Sequence, residues 1–204
     1  MHRSLLRFSC VVGLLLAGSV ALAQTEFSAD IVNESKGGST KVYFGKDKIR
    51  FDSPDDKEQG GAAILDLSGS KMIVLMAKQH MYMEMPQQMM EKRGMYTFFR
   101  TGDVENACSD WLKQPANQGG TCHKVGNETV NGRNTVKYEG TNAKGETGSV
   151  WIDPKLRFPV KWQGKNEVGG ELRNIQEGPQ PVSLFQVPSG YSKFDMGSMM
   201  QQHQ

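Results

Sequence analysis

Residues 27–51 read FSADIVNESKGGSTKVYFGKDKIRF, and the reading of this stretch decides the fold. Phe27, Ala29 and Ile31 alternate with Ser28, Asp30 and Val32. The cluster Lys36-Gly37-Gly38-Ser39 then interrupts the pattern. Val42 and Phe44 alternate with Lys41 and Tyr43, Gly45-Lys46-Asp47 interrupts again, and Ile49 and Phe51 alternate with Lys48 and Arg50. Alternation with a period of two, bounded by Gly, Ser and Asp, is the mark of strands joined by tight turns.

The same grammar continues outward. Residues 53–60 form a polar loop, Ala63 to Leu67 and Lys71 to Met76 flank the turn Ser68-Gly69-Ser70, and Gln79 to Met85 adds another strand. Further on, Asn131-Gly132 inside Thr129 to Arg133 is a strong hairpin signal. Thr135 to Tyr138, Ser149 to Ile152, Phe158 to Trp162 and Gly170 to Gln176 follow as strands, and Leu184 to Tyr191 closes the domain. Only the middle differs. Pro86 to Gly94 has good helix formers between Pro and Gly, and residues 103–113 read as a second helix with Asp103 as N-cap. Pro115 to Thr121 reads as a loop. The sum is about ten strands and two short helices. Adjacent strands joined by tight turns imply a meandering antiparallel sheet, and a sheet this long curls. The expected fold is therefore mainly β, an antiparallel unclosed β-barrel, or half-barrel, with a short helical lid.

The N-terminus has a different chemistry. Arg3 and Arg7 precede an apolar run from Val11 to Leu22, which ends in Ala21-Leu22-Ala23. This is the pattern of a secretory signal peptide over residues 1–23, cleaved after Ala23. The run is short of the roughly 20 apolar residues of a membrane span, and no later stretch is apolar enough to make one. Cys10 precedes the run, whereas a lipid anchor needs a cysteine after it. The expected location is the periplasm, with one domain over residues 24–195 and a disordered Met/Gln-rich tail over 196–204.

Removing residues 1–23 from the 204 leaves 181, enough for one domain with a core. The full chain has 24 Lys+Arg against 22 Asp+Glu, and two of the bases, Arg3 and Arg7, are lost with the leader. A formally neutral domain gives no electrostatic case for nucleic acid. Only Cys108 and Cys122 remain. In an oxidising compartment such a pair forms a structural disulfide, worth about 3 kcal/mol for so short a loop.

No catalytic constellation is evident. His80, His123 and His203 accompany no nucleophile elbow, no H-E-x-x-H and no phosphate-binding loop. The expectation is a non-enzymatic protein without a cofactor. Methionine is the feature that stands out: eight of the twelve lie between Met72 and Met95. In the strand Gln79–Met85, Met81, Met83 and Met85 share one face, and His80, Tyr82 and Glu84 the other. Such a stripe can pack a core, can line an adaptable apolar site, or can bind copper(I), because soft thioethers select that ion. Trp151 and Trp162 lie on strands, with Phe158 and Val160 on the Trp162 face.

In order along the chain come Val130-Asn131-Gly132, Val136-Lys137-Tyr138, Val150-Trp151-Ile152-Asp153, Phe158-Pro159-Val160-Lys161 and Leu184-Phe185-Gln186-Val187-Pro188-Ser189-Gly190-Tyr191. With Phe27-Ser28-Ala29-Asp30, the hairpin around Gly45-Lys46-Asp47 and Ile64-Leu65-Asp66, this series resembles the exported domains related to the outer-membrane lipoprotein carriers, the LolA/LolB-like superfamily. The resemblance covers most of residues 25–195. It implies an unclosed barrel with helices over an apolar concave side, which in the carriers holds lipoprotein acyl chains, and it implies no catalytic residue. The Met-rich strand and the Cys108/Cys122 pair depart from the carrier pattern.

The resulting expectation is a monomeric periplasmic protein that binds a lipid or acylated ligand. Its cavity would be lined by Phe27, Phe44, Phe51, Met81, Met83, Met85, Val136, Tyr138, Phe158, Val160 and Trp162. Each is chosen by alternation, so a slip of one residue would move a whole strand's set to the other face. The alternatives are a copper(I) site formed by Met81, Met83, Met85 and His80, or a structural envelope protein that binds another protein at a sheet edge.

Overall fold

A computed structural model describes residues 25–33, 38–52, 61–68, 71–86, 104–114, 117–164 and 169–194. The expected leader 1–23, the expected loop 53–60, the expected helix beyond Pro86 and the expected tail 196–204 lie outside the described residues.

Six strands open the chain: β1 (Phe27–Asn33), β2 (Ser39–Phe44), β3 (Lys48–Asp52), β4 (Gly61–Asp66), β5 (Lys71–Met76) and β6 (Met81–Pro86). A six-residue helix follows, α1 (Ala107–Leu112). The second series is β7 (Thr121–Val130), β8 (Arg133–Thr141), β9 (Thr147–Asp153), β10 (Phe158–Gln163) and β11 (Gly169–Glu177). A 3-10 turn at Val182–Phe185 and a two-residue strand, β12 (Ser192–Lys193), complete the described chain.

All twelve strands belong to one sheet, in the order β12-β6-β5-β4-β3-β2-β1-β11-β10-β9-β8-β7. It consists of two antiparallel meanders, β1–β6 and β7–β11, joined where β1 pairs with β11. The edges do not pair with each other, so the barrel is unclosed, as the sequence predicts. The tight turns fall where glycine or asparagine permits them. Asn131 and Gly132 take φ of 49° and 77°, the left-handed pair that a two-residue hairpin needs to match strand twist.

The structure adds to the sequence reading at two elements and corrects it at one. The ten residues of β7 form a full strand, although Gly126 and the polar run around it hide any alternation; a bulge between Lys124 and Gly126 shifts its register. The second helix is shorter than expected and its N-cap is Asn106, without a side-chain cap; the expected cap, Asp103, lies outside the described residues. Leu184 to Tyr191 is a strap across one face of the first meander. Its Phe185 ring sits so close to Gly45 that a Cβ there would come within 2.9 Å of it. The strap ends at β12, which runs parallel to β6.

Register defines the two faces of β1–β6. Phe27, Phe44 and Ile49 are successive cross-strand neighbours, and the same row continues through Leu65 and Met72 to Met85. Phe27 stacks on Phe44 with centroids 5.2 Å apart, and Phe158 meets both edge-on at 5.6 and 4.9 Å. These rings anchor the largest buried cluster, with Val42, Leu156, Val160 and Leu172. Tyr43, Ile64, Ile73, Leu75 and Tyr82 share the opposite face, which Leu184, Phe185, Val187 and Tyr191 of the strap cover. Both faces of this meander are therefore packed.

β6 and β7 lie at opposite sides of the sheet, and α1 packs against β7 and β8.

Candidate functional site

The second meander offers one face to α1. Cross-strand pairing places Val136, Ile152 and Pro159 in one row, Tyr138, Val150 and Trp162 in the next, and Gly140 with Gly148 in the third. Moving along the strands, the face thus passes from large apolar groups to two glycines. Trp111 of α1 reaches over Gly140, where a Cβ would lie 3.1 Å from its ring.

A cavity of about 520 Å³ lies between α1 and this face, within the range of small-molecule sites. Trp111, Tyr138, Val150, Ile152, Pro159 and Trp162 supply its apolar wall, and Cys108 and Cys122 also border it. The Tyr138 hydroxyl, buried with its ring, donates to the Val104 carbonyl at 2.7 Å. Asn117 donates to the Trp111 carbonyl at 3.1 Å. These bonds satisfy polar groups that would otherwise cost stability in an apolar site.

The roof is anchored covalently. Cys108 on α1 and Cys122 on β7 form a disulfide, with Cα atoms 5.4 Å apart, as the sequence predicts. The link has a clear purpose, because α1 buries none of its residues fully, and so short a helix is unstable alone. Val104, Ala107 and the two cysteines pack onto Val136, Tyr138 and Ile152, so the roof is held by the disulfide and one small apolar cluster.

The opposite face of the same strands is charged. Lys137 and Lys161 lie over the Trp151 ring, each 5.1 Å from its centroid, and Trp151 donates its indole N–H to Glu128 at 2.6 Å. A hydrogen bond from Lys137 holds the Glu139 carboxyl below the usual carboxylate range. Among the described residues, no group of three or more His, Cys, Asp and Glu could hold a metal ion.

The structure distributes the residues selected from sequence over three places. Tyr138 and Trp162 border the cavity, and Val136 lies in the cluster beneath α1. Phe27, Phe44, Phe158 and Val160 are sealed in the main core, with Phe51 packed against it. Met81, Met83 and Met85 lie half-buried on β6, near the far side of the sheet, and share one face as expected. His80 precedes β6 in a turn with φ of 49°, and its ring meets Tyr191 edge-on at 5.7 Å.

The expectation that Phe158, Val160 and Trp162 share a face is corrected. A bulge between Pro159 and Lys161 inserts one residue, so Phe158 pairs with Asp153 whereas Trp162 pairs with Val150. These partners point to opposite sides of β9. Sequence reasoning also missed Trp111, Val150, Ile152 and Pro159. Gly140 and Gly148 were the available signal, since paired glycines within strands mark a close approach by another group.

No family model matches the sequence, and no curated protein matches it. Solved structures do match. An uncharacterized conserved protein from Thermus thermophilus superposes with a TM-score of 0.53 at 9% identity, covering 85% of this chain and 91% of that one. Lipoprotein LppX from Mycobacterium tuberculosis matches with a TM-score of 0.39 at 12% identity, over 79% of this chain and 89% of that one. The LolA superfamily protein NE2245 from Nitrosomonas europaea matches with a TM-score of 0.31 at 10% identity, over 80% of this chain and 90% of that one. The chain shares its overall fold with the Thermus thermophilus protein. At such identities the likeness concerns the fold alone, and the function must be argued from the cavity.

Proposed function

We propose that this protein is an exported, monomeric carrier that holds one lipid-like or acyl ligand in the cavity beneath α1. The observation that carries this reading is an apolar space of about 520 Å³ roofed by a helix tethered to the sheet edge. Residues 1–23 would direct the chain to the periplasm, where the Cys108–Cys122 bridge can form and persist. Among the described residues no helix is long and apolar enough to cross a membrane.

In this reading the ligand enters between Trp111 and the row Tyr138, Val150 and Trp162. Binding is by burial alone and needs no catalytic group. Each buried methylene contributes about 0.8 kcal/mol, so a chain of about ten carbons offers about 8 kcal/mol, set against the cost of association. Phe27, Phe44, Phe158 and Val160 support the wall from the core.

Native mass spectrometry of the protein purified from the periplasm without detergent tests the proposal. An added mass of several hundred daltons is expected, with Val150→Asp losing it because the substitution places a carboxylate in the apolar wall. A bare wild-type mass, or full retention by a folded Val150→Asp protein, refutes it.

A further inference from the structure

The methionines of β5 and β6 form an arrangement that the cavity does not use. Met72 lies directly opposite Met85, Met76 opposite Met81, and Met83 opposite Val74. Five thioethers therefore occupy one face of two adjacent strands, and all five are only partly buried. We propose that this face is a copper(I) site, separate from the cavity beneath α1.

Register brings these side chains within reach of one another. Directly opposed residues on antiparallel strands have Cβ atoms about 4.5–5.5 Å apart, and residues two apart on one strand are separated by about 7 Å. Methionine is unbranched and flexible, so Met76, Met81 and Met83 can turn their sulfurs to a common point. Met72, Met83 and Met85 can do the same one step along. Three neutral thioethers are a soft ligand set, suited to a soft monovalent ion and poor for Mg²⁺, Ca²⁺ or Zn²⁺.

Met72 packs against the main core, but among the described residues no buried cluster takes up Met76, Met81, Met83 or Met85. The opposite face of the same strands carries Ile73, Leu75 and Tyr82, so the two strands use branched and aromatic residues where they pack beneath the strap. Thioethers are confined to the other face. Glu84 is also turned away, held by Lys71 at 2.6 Å and Lys193 at 2.5 Å. His80 belongs with Tyr191 on the Tyr82 side. The site is thus all sulfur, with Met76 and Met72 as ligands where sequence spacing alone suggested His80. Coordination involves no change of oxidation state: copper(I) exchanges the donors of its carrier ligand for thioether sulfurs.

The test uses the protein purified after export and copper(I) supplied as its bicinchoninate complex under argon. Wild-type protein is expected to withdraw copper, bleaching the complex. M81L/M83L/M85L keeps an apolar face but cannot ligate, and its affinity for copper(I) is expected to fall at least tenfold with an unchanged far-ultraviolet spectrum. Failure of wild type to compete overturns the proposal, as does a folded triple variant that competes equally well. Should the triple variant not fold, wild-type protein carrying methyl-¹³C methionine decides. Silver(I) should shift the Met76, Met81 and Met83 methyl resonances, and stationary resonances overturn the site. None of these outcomes depends on whether the cavity holds a lipid.

Discussion

Breaking the Cys108–Cys122 bridge should both destabilise the protein and loosen its roof. The perturbation is the double variant Cys108→Ser/Cys122→Ser, compared with wild type under non-reducing conditions. The bridged residues are 14 apart. Closure of a loop of this size in the unfolded chain is worth about 3 kcal/mol. In a domain of this length 1 kcal/mol moves the melting temperature by about 2–4 °C, so a fall of about 6–12 °C is expected. Few other contacts compensate locally: α1 has no buried residue and no side-chain N-cap. Circular dichroism on heating measures the global change. Hydrogen exchange over Ala107–Leu112 measures the local one, and should be faster in the variant, with weaker retention of any bound ligand. A melting temperature within about 2 °C of wild type, together with unchanged exchange at α1, would refute the argument that the disulfide holds the roof.

Two further outcomes follow from packing and charge. Phe44→Ala removes a fully buried ring packed against Phe27 and Phe158, and urea titration should show a loss of about 3–5 kcal/mol. Acid should destabilise the fold through Glu84 and Glu177. Hydrogen bonds from Lys193 and Lys71 lower the Glu84 pKa, and those from Lys155 and Arg133 lower that of Glu177. Their contribution is present above the usual carboxylate range and lost as pH falls below it through the depressed values. Urea midpoints measured from pH 6 down to pH 3 should therefore fall less steeply in a Glu84→Gln/Glu177→Gln variant than in wild type; parallel curves would show that these ion pairs add nothing.

Much of the architecture was legible because a strand states its own periodicity. Phe27 to Phe51 alternates cleanly and forms three successive antiparallel strands in the predicted order. Asn131-Gly132 names its turn, and Met81, Met83 and Met85 share a face because β6 is regular. The cysteines could be paired because reading residues 1–23 as a leader leaves only Cys108 and Cys122. Local chemistry determines each of these features, so the sequence alone suffices to read them.

What the sequence could not give was which strands meet at a distance and where alternation breaks. The pairing of β1 with β11 joins residues about 145 apart, a contact decided by the curl of the whole sheet. The bulge at Val160 leaves no compositional mark, yet it sends Phe158 into the core and Trp162 to the cavity. The cavity itself exists because α1 packs against β7 and β8, with Gly140 leaving room beneath the Trp111 ring. Each strand's own residues set its inner and outer faces. Only the assembled sheet determines which inner face is filled by neighbouring rings and which is left open under a helix, since that depends on the volume remaining after all the strands have packed.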